Sequence, residues 1–500
     1  MALLHVFGAI LIWILFYNFY WKRRKLPPGP TPLPILGNIN PLKKIKKGHE
    51  IFIEWQKKYG PIFTFWISEI PVVTICDYQL LQETFIKDAD SYVGKFTVPK
   101  MDNFFRGGTL GIVFTEGELW QHQRRFALSV LRNFGMGRNL MEQKILDEIV
   151  AFTETLSKDA NEPSCDLPWR FEVCVGSIIN AMLFGYRFEG EKLNEFKFFK
   201  SLLSDHMHSM VNPCIAILAQ ELDLLKHIFR GSYKLLDRNR KLFFDFFNRQ
   251  IEEHEKELDL DSLDEPTDFV EAYLREIYLA EKNGGGNETY FTKKQLANMC
   301  LDLWFAGMET SANTLEFTVL YLIRNPKVMK KVHEELDRVI GTSRLITLKD
   351  KCNLPYLQAT INESQRMANL LPLNLLHKTT RDVTILGHFI PKNTCIVPQI
   401  GNVLFNEIIF PEPEMFKPER FLNENGELKK IEEFCPFSIG KRQCLGESLA
   451  KMELFLILAN LFNQFEIFSE DPKHLPTLRR VPGITWQPTH YNVKIQKRHV

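Results

Sequence analysis

The 500-residue sequence lacks three features that would assign a chain quickly to a class. It has almost no net charge, because 62 basic residues oppose 61 acidic ones, so no overall field favours nucleic acid as a partner. Its nine cysteines are an odd number without any C-x-x-C pair, which fits reduced thiols in a cytosol-facing protein better than a disulfide framework or a zinc site. No G-x-G-x-x-G motif follows a strand-like run, so no flavin or nicotinamide domain is indicated.

Hydrophobic residues are abundant instead. They make up 45% of the chain and include 40 phenylalanines, enough for a substantial core. Helical periodicity dominates, with long helices expected at Thr292–Arg324 and Glu447–Phe462 and two strand-like runs at Ile62–Ile67 and Val72–Ile75. The sequence therefore predicts one mainly α domain with a minor β part over residues 41–500.

The N-terminal region predicts a membrane anchor. Ala2–Trp21 is almost wholly apolar and, as a helix, spans roughly 30 Å, the hydrocarbon thickness of a bilayer. The basic cluster Lys22–Lys25 follows and places the rest of the chain in the cytosol. A cleaved secretory signal is the alternative, but the basic n-region and the small-residue cleavage site are missing. We expect an anchor over residues 1–25 and a stiff, Pro-rich hinge over residues 26–40.

Cys444 is the most informative side chain. It lies in FSIGKRQCLG (Phe437–Gly446), a Gly-bracketed loop directly before a long apolar helix. Its sulfur can face a buried flat cofactor, while backbone N–H groups and the helix dipole favour the thiolate over the thiol. A buried structural cysteine is the alternative. Cys435, nine residues earlier, is a competing candidate but lacks the following Gly-then-helix arrangement.

The loop resembles the haem-ligand signature of the cytochrome P450 family at Phe437, Gly440, Arg442, Cys444 and Gly446. The resemblance extends over essentially the whole chain and is strongest to the vertebrate microsomal enzymes that oxidise drugs and fatty acids. It implies the cytochrome P450 fold and haem b as cofactor, with Phe437 beside it and Cys444 as the thiolate ligand of the iron.

The long helix carries AGMET at Ala306–Thr310. Glycine inside a helix costs about 1 kcal/mol relative to alanine, so Gly307 indicates a close approach or a local bulge. Taken alone, Gly307 could be a packing contact and Glu309 a solvated side chain. The stretch resembles the oxygen-binding segment of the family, which implies that Glu309 and Thr310 are catalytic and relay protons to bound dioxygen.

Two further motifs fit the resemblance. Glu363 and Arg366 lie at i and i+3 on a helix and can meet, and Arg420 follows in PERF. Such a pair is common on surfaces, but apolar neighbours suggest burial here. The resemblance implies that Glu363, Arg366 and Arg420 form a structural salt-bridge triad near the haem loop.

The segment Gly111–Gly137 closely resembles a helix of the microsomal enzymes that binds the haem propionates. Trp120 and Arg124 lie on one helix face, at i and i+4. The resemblance implies that both bind propionate together with Arg442 and His377, and arginine suits carboxylates through bidentate bonds. Core packing for Trp120 and a surface position for His377 are the alternatives.

The resemblance also implies an apolar substrate pocket and hence a lipophilic substrate. Its expected members are Val113, Phe114, Phe305, Ala306 and Leu375. The run VNPCIAILA (Val211–Ala219) could dip into the bilayer or could be ordinary core, and the sequence does not decide between them.

The implied activity is that of a membrane-bound monooxygenase in the endoplasmic reticulum, with a cytosolic catalytic domain. It would act on a fatty acid, a steroid or a foreign lipophile with electrons from NADPH, delivered by NADPH–cytochrome reductase and in some members also by cytochrome b5. Two alternatives stay open: a reductase-independent haem isomerase or dehydratase acting on peroxides, and a non-catalytic haem- or lipid-binding membrane protein. Retention of Glu309 and Thr310 argues against the isomerase.

Overall fold

Helices dominate the computed structural model, which describes residues 2–39, 49–135, 140–160, 162–259, 264–282 and 290–498. The described helices are α1 Ala2–Phe19, α2 Glu50–Tyr59, α3 Tyr78–Leu81, α4 Ala89–Tyr92, α5 Pro99–Arg106, α6 Gly117–Gly135, α7 Leu140–Asp159, α8 Leu167–Phe184, α9 Lys192–Met210, α10 Pro213–Gln220, α11 Leu222–Leu225, α12 Arg230–Glu257, α13 Phe269–Lys282, α14 Lys293–Arg324, α15 Pro326–Val339, α16 Pro355–Ala368, α17 Ile400–Leu404 and α18 Glu447–Gln464. The predicted boundary between hinge and domain, at residues 40 and 41, lies outside the described residues.

The strands are short and form a minor part of the fold. They are β1 Ile62–Ile67, β2 Ile70–Ile75, β3 Gly94–Lys95, β4 His377–Lys378, β5 Val383–Ile385, β6 His388–Ile390, β7 Cys395–Pro398, β8 Phe465–Ser469, β9 Arg480–Val481, β10 Gln487–Pro488 and β11 Val493–Lys497. Five of them form a sheet in the order β1-β2-β7-β4-β3, in which only β2 and β7 pair in parallel. The prediction of a mainly α fold with a minor β part is confirmed.

The long helix α14 runs through the largest hydrophobic core. It begins after Thr292, whose side chain accepts a hydrogen bond from the Gln295 N–H, and it ends at Asn325 before Pro326. Nearly every side chain between its ends is buried, because α8, α12, α13, α16 and α18 pack around it. A helix buried on all sides gives the fold a fixed axis on which site residues can be placed.

The N-terminal helix α1 differs from α14 because its apolar side chains point outward. Phe7 is 74% exposed and Trp13 is 64% exposed. The residues just after α1 contact the body of the protein: the Lys22 ammonium forms an ion pair with Glu69 at 2.7 Å and lies 4.5 Å from the centroid of the Trp66 ring. The basic cluster is thus partly used in docking against the β1–β2 hairpin.

Among the described residues, α8 is the helix that is long and apolar enough by composition to cross a bilayer. Most of its side chains are buried against neighbouring helices, as in the core of a folded domain. The run Val211–Ala219 forms most of α10, where Ile215 and Leu218 are buried in a small cluster of their own, while Val211 is exposed. Part of this run is therefore ordinary core.

Candidate active site

A cavity lies inside the protein between α14 and the loop that carries Cys444. Helices α6, α8, α16 and α18 contribute to its wall, as do the segment before β4 and strand β3. From α14 the wall includes Ala306, Gly307, Thr310, Ser311 and Thr314. The cavity therefore joins the two motifs, AGMET and the cysteine loop, that lie more than a hundred residues apart in the sequence.

The path of the cysteine loop depends on Gly440. Gly440 has φ 76°, in the left-handed region, and a Cβ there would lie 2.0 Å from the Phe85 carbonyl oxygen, so only glycine fits. The Cys444 N–H then donates to the Phe437 carbonyl at 3.0 Å, and Gly446 is the N-cap of α18. Cys444 lies inside the protein, and its accessible surface faces the cavity, whose wall it forms in part.

Opposing effects act on the pKa of the Cys444 thiol. Burial raises the pKa of the Cys444 thiol above its ordinary value, and the nearby Glu447 carboxylate adds to this. The Gly446 N–H and the Arg124 guanidinium lower that pKa, as the loop predicts, but they do not outweigh burial. The charge of a bound metal ion would act in the same direction as the Gly446 N–H and the Arg124 guanidinium and would favour the thiolate.

Four basic side chains and one tryptophan line one edge of the cavity. The antiparallel pairing of β3 with β4 sets Lys95 opposite His377. Arg124 comes from α6 and Arg442 from the cysteine loop. The Arg442 guanidinium stacks on the Trp120 ring at 3.8 Å from its centroid, and the Arg124 guanidinium lies 5.9 Å from the same centroid.

Backbone carbonyls hold the two arginines in place. Arg442 donates from Nε to the Val93 carbonyl at 2.8 Å and from Nη2 to the Thr115 carbonyl at 2.6 Å. Arg124 donates from Nη2 to the Gln443 carbonyl at 2.8 Å. Neutral carbonyls orient these guanidinium groups but do not cancel their charge.

The charges at this edge are not balanced. Burial, followed by the charge of Arg442, lowers the pKa of Lys95 to about 7, and burial and Arg124 lower the pKa of Arg442 to about 9. Burial also lowers the pKa of His377, whose Nδ1 lies 2.8 Å from the Tyr92 carbonyl. The Glu116 carboxylate acts in the opposite direction on the pKa of Arg442, but it forms its ion pair with Lys378. In the described part of the chain no carboxylate forms an ion pair with Lys95, Arg124 or Arg442. Such a cluster fits a ligand that brings its own carboxylates, as haem does.

Comparisons with known proteins agree with this geometry. The family model described as Cytochrome P450 matches residues 27–495. The chain is 36% identical to Cytochrome P450 2C16 and to Cytochrome P450 2C5 of Oryctolagus cuniculus, each over 95% of both chains. It is 35% identical to Cytochrome P450 2B19 of Mus musculus over 94% of both chains.

The chain belongs to the cytochrome P450 family. It is therefore a haem-thiolate monooxygenase that receives its electrons from a redox partner and acts on lipophilic substrates. Cys444 lines the cavity, whereas Cys435 is buried in a separate cluster and does not. Phe437, predicted to lie beside the haem, is also part of the cavity wall.

The oxygen-site motif takes an unexpected form in this cytochrome P450. Helix α14 is continuous through Gly307, without a bulge, and a Cβ at Gly307 would lie 2.5 Å from Cδ1 of Ile179 on α8. Gly307 therefore marks a close approach of two helices. Thr310 lines the cavity and donates to the Ala306 carbonyl at 2.7 Å, whereas Glu309 is buried and does not line the cavity.

The predicted substrate residues divide into two groups. Val113, Ala306 and Leu375 line the cavity, and Phe114 and Phe305 do not. The Phe305 ring packs instead against Phe243, with 4.7 Å between the ring centroids, because it lies on the side of α14 that faces α12. Phe114 lies beneath the Arg106 guanidinium, 5.3 Å from its ring centroid. The structure thus corrects the placement predicted for these two.

The structure also brings the Glu363, Arg366 and Arg420 side chains together. Arg366 donates to both carboxylate oxygens of Glu363, at 2.7 and 2.9 Å, and Arg420 donates to Glu363 Oε1 at 3.0 Å. Arg366 is fully buried and uses its remaining donors on the carbonyls of Leu404 and Pro413. Each charge in this group has a partner of opposite sign or a carbonyl.

Three polar residues near the site were missed by sequence reasoning. Lys95 lies on a two-residue strand and has no motif around it. Glu453 on α18 lines the cavity and accepts a hydrogen bond from Ser311 at 2.5 Å, while its Oε1 is buried without a partner. Burial raises the pKa of Glu453 to about 8, although the Ser311 bond acts in the opposite direction. The third residue, Lys200, lies between Glu172 and Glu309. A lysine in an amphipathic helix resembles a surface residue, so the sequence did not indicate its burial.

Proposed function

We propose that this protein is a membrane-bound monooxygenase that inserts one oxygen atom from O2 into a lipophilic substrate, by hydroxylation or epoxidation. The observation that carries the proposal is one cavity with a thiol on its wall, uncompensated cations at its edge and an apolar remainder. A thiol alone would suit a structural cysteine, and cations alone would suit many anions. Together in one cavity they suit haem b.

Within this cavity each side chain has a separate task. Cys444 would hold the iron, and Lys95, Arg124, Arg442 and His377, which lie together on the cavity wall, would hold the propionates. Bound haem supplies the activation of dioxygen. Thr310 places a hydroxyl on the cavity wall, where it can hold a water or pass a proton.

The substrate class follows from what remains of the wall. Once the cationic edge is assigned to the cofactor, the residues left near Thr310 are largely apolar, among them Val113, Ala306 and Leu375. Such a wall favours a lipophilic molecule and positions it by shape. Fatty acids, steroids and foreign lipophiles fit this description.

Membership of the cytochrome P450 family also supports a membrane location and a separate electron donor for this protein. The outward-facing apolar side chains of α1 support an N-terminal anchor over residues 1–25, followed by a hinge over residues 26–40 and a cytosolic catalytic domain in the endoplasmic reticulum. Electrons would come from NADPH through NADPH–cytochrome reductase, with cytochrome b5 as a second donor. The exposed Arg125 next to the haem-side helix face is a candidate contact.

The deciding experiment combines spectroscopy with turnover. The full chain, reduced under carbon monoxide, should show the thiolate-type haem spectrum, and Cys444→Ser should lose it even where haem stays bound. Cys435→Ser is the matched control and should keep it. Purified protein with reductase, NADPH and a lipid mixture should then consume at least one lipid. A thiolate spectrum without any NADPH-dependent turnover would contradict the proposed activity and favour a non-catalytic haem protein.

A further inference from the structure

Lys200 occupies an unusual place for a lysine. It lies on α9, and only 6% of the residue is exposed. Its ammonium group forms an ion pair with Glu172 of α8 at 2.8 Å and another with Glu309 of α14 at 3.2 Å, and it also donates to the Ser204 hydroxyl at 2.8 Å. One buried cation therefore connects three helices, of which α14 carries the oxygen-site motif.

Glu309 is held by further donors, all of which lie away from the cavity. Its Oε2 accepts from Asn313 at 3.2 Å, from Thr485 at 3.3 Å and from Gln487 at 2.8 Å. Its Oε1 accepts from Lys200. Of these donors only Lys200 is charged, and only Asn313 belongs to the same helix as Glu309. The orientation of the acid next to Thr310 thus depends on α9 and on the C-terminal segment.

The acidic groups around Lys200 keep its ammonium group charged, which strengthens its ion pair with Glu309. Burial lowers the pKa of Lys200, but the carboxylates of Glu309 and Glu172 together raise it above its ordinary value, so the ammonium stays charged. Two further acids face the group: Glu316, whose pKa is raised by burial, and Asp166 at the start of α8. Acids outnumber cations here, and Lys200 is the charge that keeps two buried carboxylates together.

We propose that Lys200 is a positioning residue for Glu309: together with neutral donors it holds this carboxylate turned from the cavity toward α9, and it supplies the charge that fixes the orientation of the acid next to Thr310. The ion-pair geometry stands on the structure alone. Its effect on catalysis rests on the proposed monooxygenase function.

The first test measures unfolding temperature for a double-mutant cycle on the haem-containing full chain. Lys200→Met leaves the carboxylates of Glu309 and Glu172 without their cation, and protonation of Glu172, whose pKa burial already raises, relieves part of this at low pH. The variant should therefore lose more stability at pH 8 than at pH 5. Glu309→Gln in the Lys200→Met background should recover part of the loss at pH 8, and Lys200→Arg should resemble the wild type. An equal loss at both pH values without recovery would show that Lys200 only fills space.

The second test measures how the fraction of NADPH electrons recovered in product depends on pH. Lys200→Met should shift this profile relative to the wild type, while Lys200→Arg should not. If Lys200→Met shows the expected pH-dependent loss of stability but the same pH dependence of product formation as the wild type, Lys200 does not act on catalysis through Glu309. If Lys200→Met does not fold, Lys200→Gln takes its place in both tests. Failure of the monooxygenase proposal would show separately, as a wild-type protein without the thiolate spectrum or turnover.

Discussion

Two clusters of basic side chains in this protein differ in whether a carboxylate pairs with them. At the cavity edge, Lys95, Arg124 and Arg442 lie close together without a carboxylate partner in the described residues, and burial and mutual repulsion lower the pKa values of Lys95 and Arg442. Between α16 and the segment of Arg420, Arg366 and Arg420 share Glu363 and direct their remaining donors to carbonyls.

The presence or absence of a carboxylate partner distinguishes a group that stabilises the fold from a group that binds a ligand. Burying an unpaired charge costs several kcal/mol, so a fold keeps an unbalanced cluster only where a ligand completes it. A balanced cluster needs no ligand and joins segments of the chain instead. We call the first the open cluster (Lys95, Arg124, Arg442) and the second the closed cluster (Glu363, Arg366, Arg420).

Breaking the closed cluster should have the largest effect. Arg366→Ala removes both bonds to Glu363 and leaves a fully buried carboxylate with one guanidinium partner, which should cost about 3–5 kcal/mol of folding free energy. We expect protein that fails to retain haem, measured by haem content and unfolding temperature. Arg249→Ala removes an ion pair whose arginine side chain is 50% exposed and should change little. Normal haem content in Arg366→Ala would sink the architectural assignment.

Removing one charge from the open cluster should act on the ligand first. Lys95→Met takes away a buried donor for a carboxylate, a bond of about 1.5–3 kcal/mol, so haem transfer to an acceptor protein should accelerate roughly tenfold or more. Unchanged haem loss in this variant would place Lys95 outside the propionate site.

The same variant tests the charge balance through pH. The folded protein without haem binds the Lys95 proton with a pKa of about 7, against 10.5 for an ordinary lysine, so the unfolded state holds more protons between these values. Lys95 should therefore make the stability of the haem-free protein rise from pH 7 to pH 10 by up to about 1.4 kcal/mol per pH unit, and Lys95→Met should remove this contribution. The lowered pKa of Arg442, about 9, gives a rise of the same sign above that pH, which should remain in Lys95→Met. Haem carboxylates should flatten the Lys95 contribution in the wild type. Chemical unfolding of haem-free protein at several pH values measures the slope.

Sequence reasoning reached the residues that carry a local pattern. The cysteine loop, the Glu363–Arg366 pair and Trp120–Arg124 each have a fixed spacing along one segment of the chain. The structure places Cys444, Trp120 and Arg124 on one cavity wall and pairs Glu363 with Arg366. Lys95 and Lys200 could not be found in this way, because burial comes from other segments and a lysine on a short strand or an amphipathic helix resembles a surface residue. The direction of Glu309 was equally hidden, since it is set by Lys200, Thr485 and Gln487 from elsewhere in the chain.

The finest test makes one conservative change in both clusters. Arg124→Lys keeps a positive charge near Cys444 but loses the planar fork, and Arg420→Lys does the same beside Glu363, where the arginine donates to Glu363 and to the carbonyls of Pro411, Glu412 and Met415. Arg420→Lys should lower folding stability by about 1 kcal/mol without changing the haem spectrum. Arg124→Lys should leave stability almost unchanged and weaken haem retention. Measured on both variants, the unfolding temperature should fall mainly in Arg420→Lys and the haem-transfer rate should rise mainly in Arg124→Lys. If both variants change both quantities equally, the distinction between an open and a closed cluster is wrong.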